Sequence, residues 1–166
     1  MTRKRSAYRP REVHTNAVDI AINRVRKLKP ADVRMQLHLL HTAVREFAAG
    51  QHCARHWLSL ADAANMTETL AGVGLCRGVD ADLLISEIQQ ALADVHQRHA
   101  ERGSWTLYSH EVGSLHWLCR LHETQLKACS YGELEAALRT TAERLCQARA
   151  GNAAIGTLVI VGEIAA

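Results

Sequence analysis

PADVRMQLHLLHTAVREFAAG, residues 30 to 50, decides the fold class. Val33, Leu37, Leu40, Val44 and Phe47 recur at i, i+4, i+7, i+11 and i+14, the spacing that puts five apolar side chains on one face of an α-helix. Pro30 suits a first helical position, where its missing N–H costs no hydrogen bond, and Gly50 suits the residue after the last turn. A stripe of this length predicts a helix that packs against others.

Working outward, AVDIAINRVRKL (residues 17 to 28) predicts a short helix that stops before Pro30. Trp57, Leu60, Ala61, Ala64 and Leu70 predict a helix from Cys53 to Ala71, closed by the glycines of AGVGLCRG. Asp80 reads as the cap of the next, with Leu84, Ile88, Ala91 and Val95 inward and Glu87, Gln90, Asp94 and Arg98 largely outward. SWTLYSHEVGS then carries a short extended segment near 105–108. Ser109 reads as the cap of a helix from about His110 to Ala128, apolar along Leu115, Leu118, His122 and Leu126 and also along Trp117, Leu121 and Ala128, hence central. Ser130 and Glu133 form a capping box for a last helix with Leu134, Leu138, Thr141 and Leu145 inward. The fold expected is mainly α, a compact bundle of about six helices. Residues 1–14 read as a flexible basic arm and 15–166 as one helical domain. The apolar run Thr157 to Val161 reads as a C-terminal strand, laid on the 105–108 segment or, as we favour, on a second subunit, which makes the chain a homo-oligomer.

Composition narrows the function classes. The 166 residues are 48% hydrophobic but only 4% aromatic, the makings of a Leu/Ala-rich helical core rather than a β-sandwich. No run approaches the ~20 apolar residues of a membrane span, and no secretory signal is evident. The five cysteines are odd in number and never spaced C-x-x-C, so a reducing cytoplasm is the expected compartment. The net charge of +3 conceals an asymmetry: residues 1 to 29 hold nine Lys/Arg against Glu12 and Asp19. Arg3, Lys4, Arg5, Arg9 and Arg11 lie in the aperiodic opening and suit an anionic partner, with a solvated tail as the simpler alternative.

Ten histidines invite a metal reading, and His38/His41, His52/His56, His96/His99 and His116/His122 fall at close spacings. Such pairs supply two ligands where zinc needs three or four, so no metal is expected, nor any other cofactor. No phosphate loop, G-x-S-x-G elbow or catalytic carboxylate motif is present. Cys119 near His116 and His122 resembles a nucleophile with its base, but a core cysteine explains it more simply. No enzyme is expected. Arg34, His38, His41 and Arg45 form a basic row one residue's rotation from the apolar stripe, a candidate contact for phosphate or for an acidic protein surface, with a solvated helix face that needs no partner as the simpler alternative. Trp105, Tyr108, Trp117 and His122 read as a candidate pocket, although His122 alone reads as a core residue. The helix pair around Gly50 is too long for a helix-turn-helix, and its second member lacks base-reading side chains near its start.

The opening RKRSAYRP (Arg3 to Pro10) and the stretch ERGSWTLYSHEVGSLHWLCRLHETQLKACSYGELEAAL (101 to 138) resemble a group of small proteins of temperate bacteriophages and prophages of proteobacteria. The shared features are the basic opening, the Arg102-Gly103-x-aromatic turn, and the element His122-Glu123-Thr124-Gln125-Leu126. The resemblance implies a bacterial host cytoplasm and an accessory role, binding and modulating or inhibiting a host macromolecule, most naturally a protein. It implies no catalytic residue. The alternatives are nucleic-acid binding through the arm, and an oligomer that sequesters a small anionic nucleotide.

Overall fold

A computed structural model describes residues 16–51, 53–76 and 79–149. It contains six helices: α1 Ala17–Val25, α2 Pro30–Ala48, α3 Ala54–Gly72, α4 Val79–Arg102, α5 Ser109–Ala128 and α6 Tyr131–Arg149. Among the described residues there is no strand, and the only β-type pairing is an isolated antiparallel bridge between Lys27 and Ser130. The arm and the 157–161 segment lie outside the described residues.

The helix α3 is the hub, packed against α2, α4, α5 and α6, while α5 packs against α2, α3 and α4. The expected core positions of α2, α3 and α4 are inward: Val33, Leu37, Leu40, Val44, Phe47, Trp57, Leu60, Ala61, Ala64, Leu70, Ile88, Ala91 and Val95 are buried, and Leu84 packs on them half-buried. Trp57 is fully enclosed, and its indole N–H donates to the Leu92 carbonyl at 3.1 Å, tying α3 to α4. Few aromatics and many alanines let the helices approach closely around α3.

Local chemistry sets the boundaries. Gly50 adopts φ +73°, a left-handed conformation that glycine takes without steric cost, and α2 ends there. Before α6 the capping box forms as expected: Ser130 N–H donates to Glu133 Oε2 (2.6 Å) and Glu133 N–H to Ser130 Oγ (3.3 Å). The link between α1 and α2 is fastened to the link between α5 and α6 by Tyr131 N–H on the Arg26 carbonyl (3.0 Å) and by burial of Leu28.

Several expectations are corrected. The helix α1 stops at Val25 and buries no residue; Val18, Ile20, Ile22 and Val25 are all exposed. Asp80 lies inside the first turn of α4, which starts at Val79. Tyr108, not Ser109, caps α5, its N–H taken by Glu111 Oε2 at 2.5 Å. The 105–108 segment is extended at Tyr108 (φ −88°, ψ 161°) yet joins no sheet. On α6, Leu138 points outward; the inner place goes to fully buried Ala137, which nests against Met66 and Leu70 where helix approach favours a small side chain. Arg98 is drawn in rather than outward, because a buried carboxylate needs it.

Candidate functional site

The basic row is where the sequence places it. Arg34, His38, His41 and Arg45 are all exposed on α2 and span about 16 Å at 1.5 Å per residue. His41 lies toward Glu123 of α5, whose carboxyl is held below its usual range chiefly by its bond to Lys127 (2.7 Å), with His41 a smaller contributor. Arg45 shares its guanidinium with neighbouring Glu46 at 3.0 Å. The adjoining exposed face of α5 adds His116, Arg120 and Lys127.

Two further residues of this face escaped sequence reasoning. Met35 (66% exposed) and Leu39 (59% exposed) stand one residue round from Arg34 and His38, so the outer surface of α2 mixes cations with unpartnered apolar side chains. Their signal was their failure to join the apolar stripe. On α5, half-exposed Trp117 carries the Arg120 guanidinium 5.4 Å from its ring centroid, an i, i+3 cation–π pair. Arg3, Lys4, Arg5, Arg9 and Arg11 lie outside the described residues.

The expected pocket of Trp105, Tyr108, Trp117 and His122 is not assembled. Trp105 is buried at one end of the bundle, stacked on His99 (3.9 Å between centroids, 14°) beside His96, Trp57 and Phe47. This aromatic cluster accounts for His56, His96 and His99: His56 meets Phe47 edge-on, and His96 lies 4.7 Å from Trp57. Tyr108 is exposed beneath Arg98, whose guanidinium lies 4.1 Å from its ring. Arg98 also donates to Glu111 Oε1 (2.5 Å) and to the Thr106 carbonyl. Glu111 is fully buried, and its carboxylate raises the Arg98 pKa. The constellation is a clasp that closes the α4–α5 turn.

His122 lies in a different compartment, the polar strip between α3 and α5. Its Nδ1 is 3.0 Å from Thr67 Oγ1, and burial pushes its pKa down to about 4, so the ring is neutral. Gln125, one turn on, donates to the Thr67 and Leu75 carbonyls. Beside it, Thr69 and Thr141 share a hydrogen bond (2.9 Å), and Arg144 reaches Glu68 (3.0 Å), joining α6 to α3. Cys119 is buried and its thiol pushed up to about 11, chiefly by desolvation, the reverse of what a nucleophile requires. Among the described residues no group of three or more His, Cys, Asp and Glu is placed to share a metal ion. No helix is long and apolar enough to cross a membrane, again among the described residues.

On the far side of Trp117 a groove of about 530 Å³ runs between α4 and α5. Glu87 and Asp94 edge it from α4, and Gly113 and Trp117, one turn apart, form the α5 wall with His110. Nothing lies within 4 Å of where a Gly113 Cβ would stand, so the trough is open at that point. Trp117 therefore divides a basic surface from an acidic one.

No protein-family model matches the chain, and neither a curated protein nor a solved structure matches it.

Proposed function

We propose that this chain is a non-enzymatic phage or prophage accessory protein that binds a host protein through the mixed basic and apolar face of α2 and α5, and so modulates or inhibits it. The observation that carries this reading is the interleaving of Met35 and Leu39 with Arg34, His38, His41 and Arg45 on one exposed surface. Phosphate backbones reward cations alone, whereas an acidic protein surface with apolar patches rewards both and gains affinity when the apolar side chains are buried. The phage setting comes from the resemblance of residues 3 to 10 and 101 to 138.

A second reading, nucleic-acid binding, is favoured by the arm, which adds five cations to the same half of the chain. Capture from bacterial lysate, with and without nuclease, separates the two when the native chain is compared with M35S/L39S and R34E/R45E variants. A protein partner that survives nuclease and is lost from both variants is the expected result. A partner lost with nuclease, and insensitive to M35S/L39S, would establish the nucleic-acid reading instead. Equal capture by all forms would remove α2 from the interface.

A further inference from the structure

Val18, Ile22 and Val25 recur at i, i+4 and i+7, so they form one apolar stripe along α1, and each is at least 58% exposed. Nine residues are too few for this helix to hold by its own hydrogen bonds, since isolated helices shorter than about 12–15 residues are marginal in water. Among the described elements α1 packs closely only on α6. That contact is made elsewhere on its surface, where a Cβ on Gly132 would stand 2.9 Å from the Arg24 carbonyl oxygen and the Arg24 side chain meets Glu135 at 3.6 Å. Arg24 is turned about 100° round the helix from Val25, so the attachment leaves the stripe bare. A short helix that buries nothing and carries such a stripe calls for cover from beyond the described residues.

The direction of α1 decides which segment comes near. Lys27 bridges to Ser130, Arg24 meets Gly132 and Glu135, and Ile20 shares a groove with Glu135, so α1 and α6 run antiparallel and Val18 points the helix start toward the far end of α6. Along α6 the stripe then stands about 18 Å (Val18) to 27 Å (Val25) short of Arg149, and crossing to the neighbouring helix brings the distances to about 20 and 30 Å. The chain continues from Arg149. Leu158, Val159, Ile160 and Val161 follow it by nine to twelve residues and reach about 30 to 40 Å when extended, enough to cover the whole stripe. Four consecutive aliphatic side chains are the chemistry the stripe lacks. The segment before α1 does not supply it, because residues 3 to 14 hold five Arg and Lys and, as large apolar side chains, only Tyr8 and Val13. A segment tethered within reach faces the stripe at a roughly millimolar effective concentration, which a second copy in dilute solution does not match.

We propose that residues 158–161 dock on the Val18–Ile22–Val25 stripe of the same molecule, so that the chain beyond α6 folds back over α1 and holds it in place. This puts the apolar run within one molecule rather than between two subunits. The contact lies apart from the core of α2 to α6, so α1 and the docked segment open together as a local unit, and local exchange rather than the melting temperature reads it. It does not depend on the host-protein reading, which uses α2 and α5.

The test is amide hydrogen exchange of the full-length chain, read by mass spectrometry at a low and a high protein concentration. The native protein is compared with a tail variant (L158S/V159S/I160S/V161S) and a stripe variant (V18A/I22A/V25A), whose alanines remove apolar area yet favour the helix. In the native chain both α1 and residues 158–161 should exchange slowly. The tail variant should speed exchange in α1, and the stripe variant exchange in residues 158–161, each by at least about tenfold, because each removes the apolar cover of the other segment. These effects should be the same at both concentrations. The proposal is overturned if α1 of the native chain exchanges like a free peptide, or if either variant leaves the opposite segment unchanged. Protection that rises with concentration also overturns it, since the stripe would then be covered by a second copy.

Discussion

Replacing Glu111 by Ala should be among the most damaging single changes at the α4–α5 junction. The carboxylate is fully buried, receives Arg98 at 2.5 Å and caps α5 through the Tyr108 N–H, also at 2.5 Å. Removing one partner of a buried pair costs about 3–5 kcal/mol, because the other charge is left uncompensated. The lower figure applies here, since Arg98 keeps the Thr106 carbonyl and the Tyr108 ring and retains 12% of its side-chain exposure. In a domain of this size, about 3 kcal/mol lowers the melting temperature by roughly 10 °C. Glu111→Gln keeps an acceptor for Tyr108 and should lose about half as much. The pair R98M/E111L, which removes both charges, should recover part of the loss. Urea unfolding followed by circular dichroism measures all three. An E111A protein within about 0.5 kcal/mol of the native chain would show the pair to be worth no more than a surface ion pair, and the clasp argument would fail.

Other consequences are simpler to read. His122 is held near pKa 4 against an ordinary 6.5, so the unfolded chain takes up a proton that the folded one refuses; stability should fall as pH drops from about 6.5 to 4, by up to about 3 kcal/mol, and level off below. His122→Leu should abolish that component in urea titrations at several pH values, at a cost of about 1–3 kcal/mol near neutrality from the abandoned Thr67 hydroxyl. Gly132→Ala would place a Cβ 2.9 Å from the Arg24 carbonyl oxygen, so α1 should come away from α6 and be cut sooner by protease; because α1 buries nothing, the melting temperature should hardly change. A thiol reagent should label exposed Cys53 and Cys146 in the native protein well before Cys119 and Cys129, which are buried and whose pKa values are raised mainly by desolvation; early labelling of Cys119 would refute its place in the core.

Much of this architecture was legible because α2, α3 and α4 bury apolar side chains at helical spacing, and burial is what periodicity reports. Where legibility failed, the cause was a partner distant in sequence. Nothing around Arg98 marks it as inward until Glu111, thirteen residues on, folds back across the turn. On α6 the rows through Leu138 and Ala137 share Leu134 and Thr141, and only the close approach of Met66 and Leu70 selects the alanine. Trp117 illustrates the opposite error: a large apolar residue was read as inward, yet it stands half exposed under Arg120. The basic row of α2 was legible because each member is polar and lies off the stripe. The acidic groove was not, because its two walls belong to different helices and its carboxylates look like any solvated face.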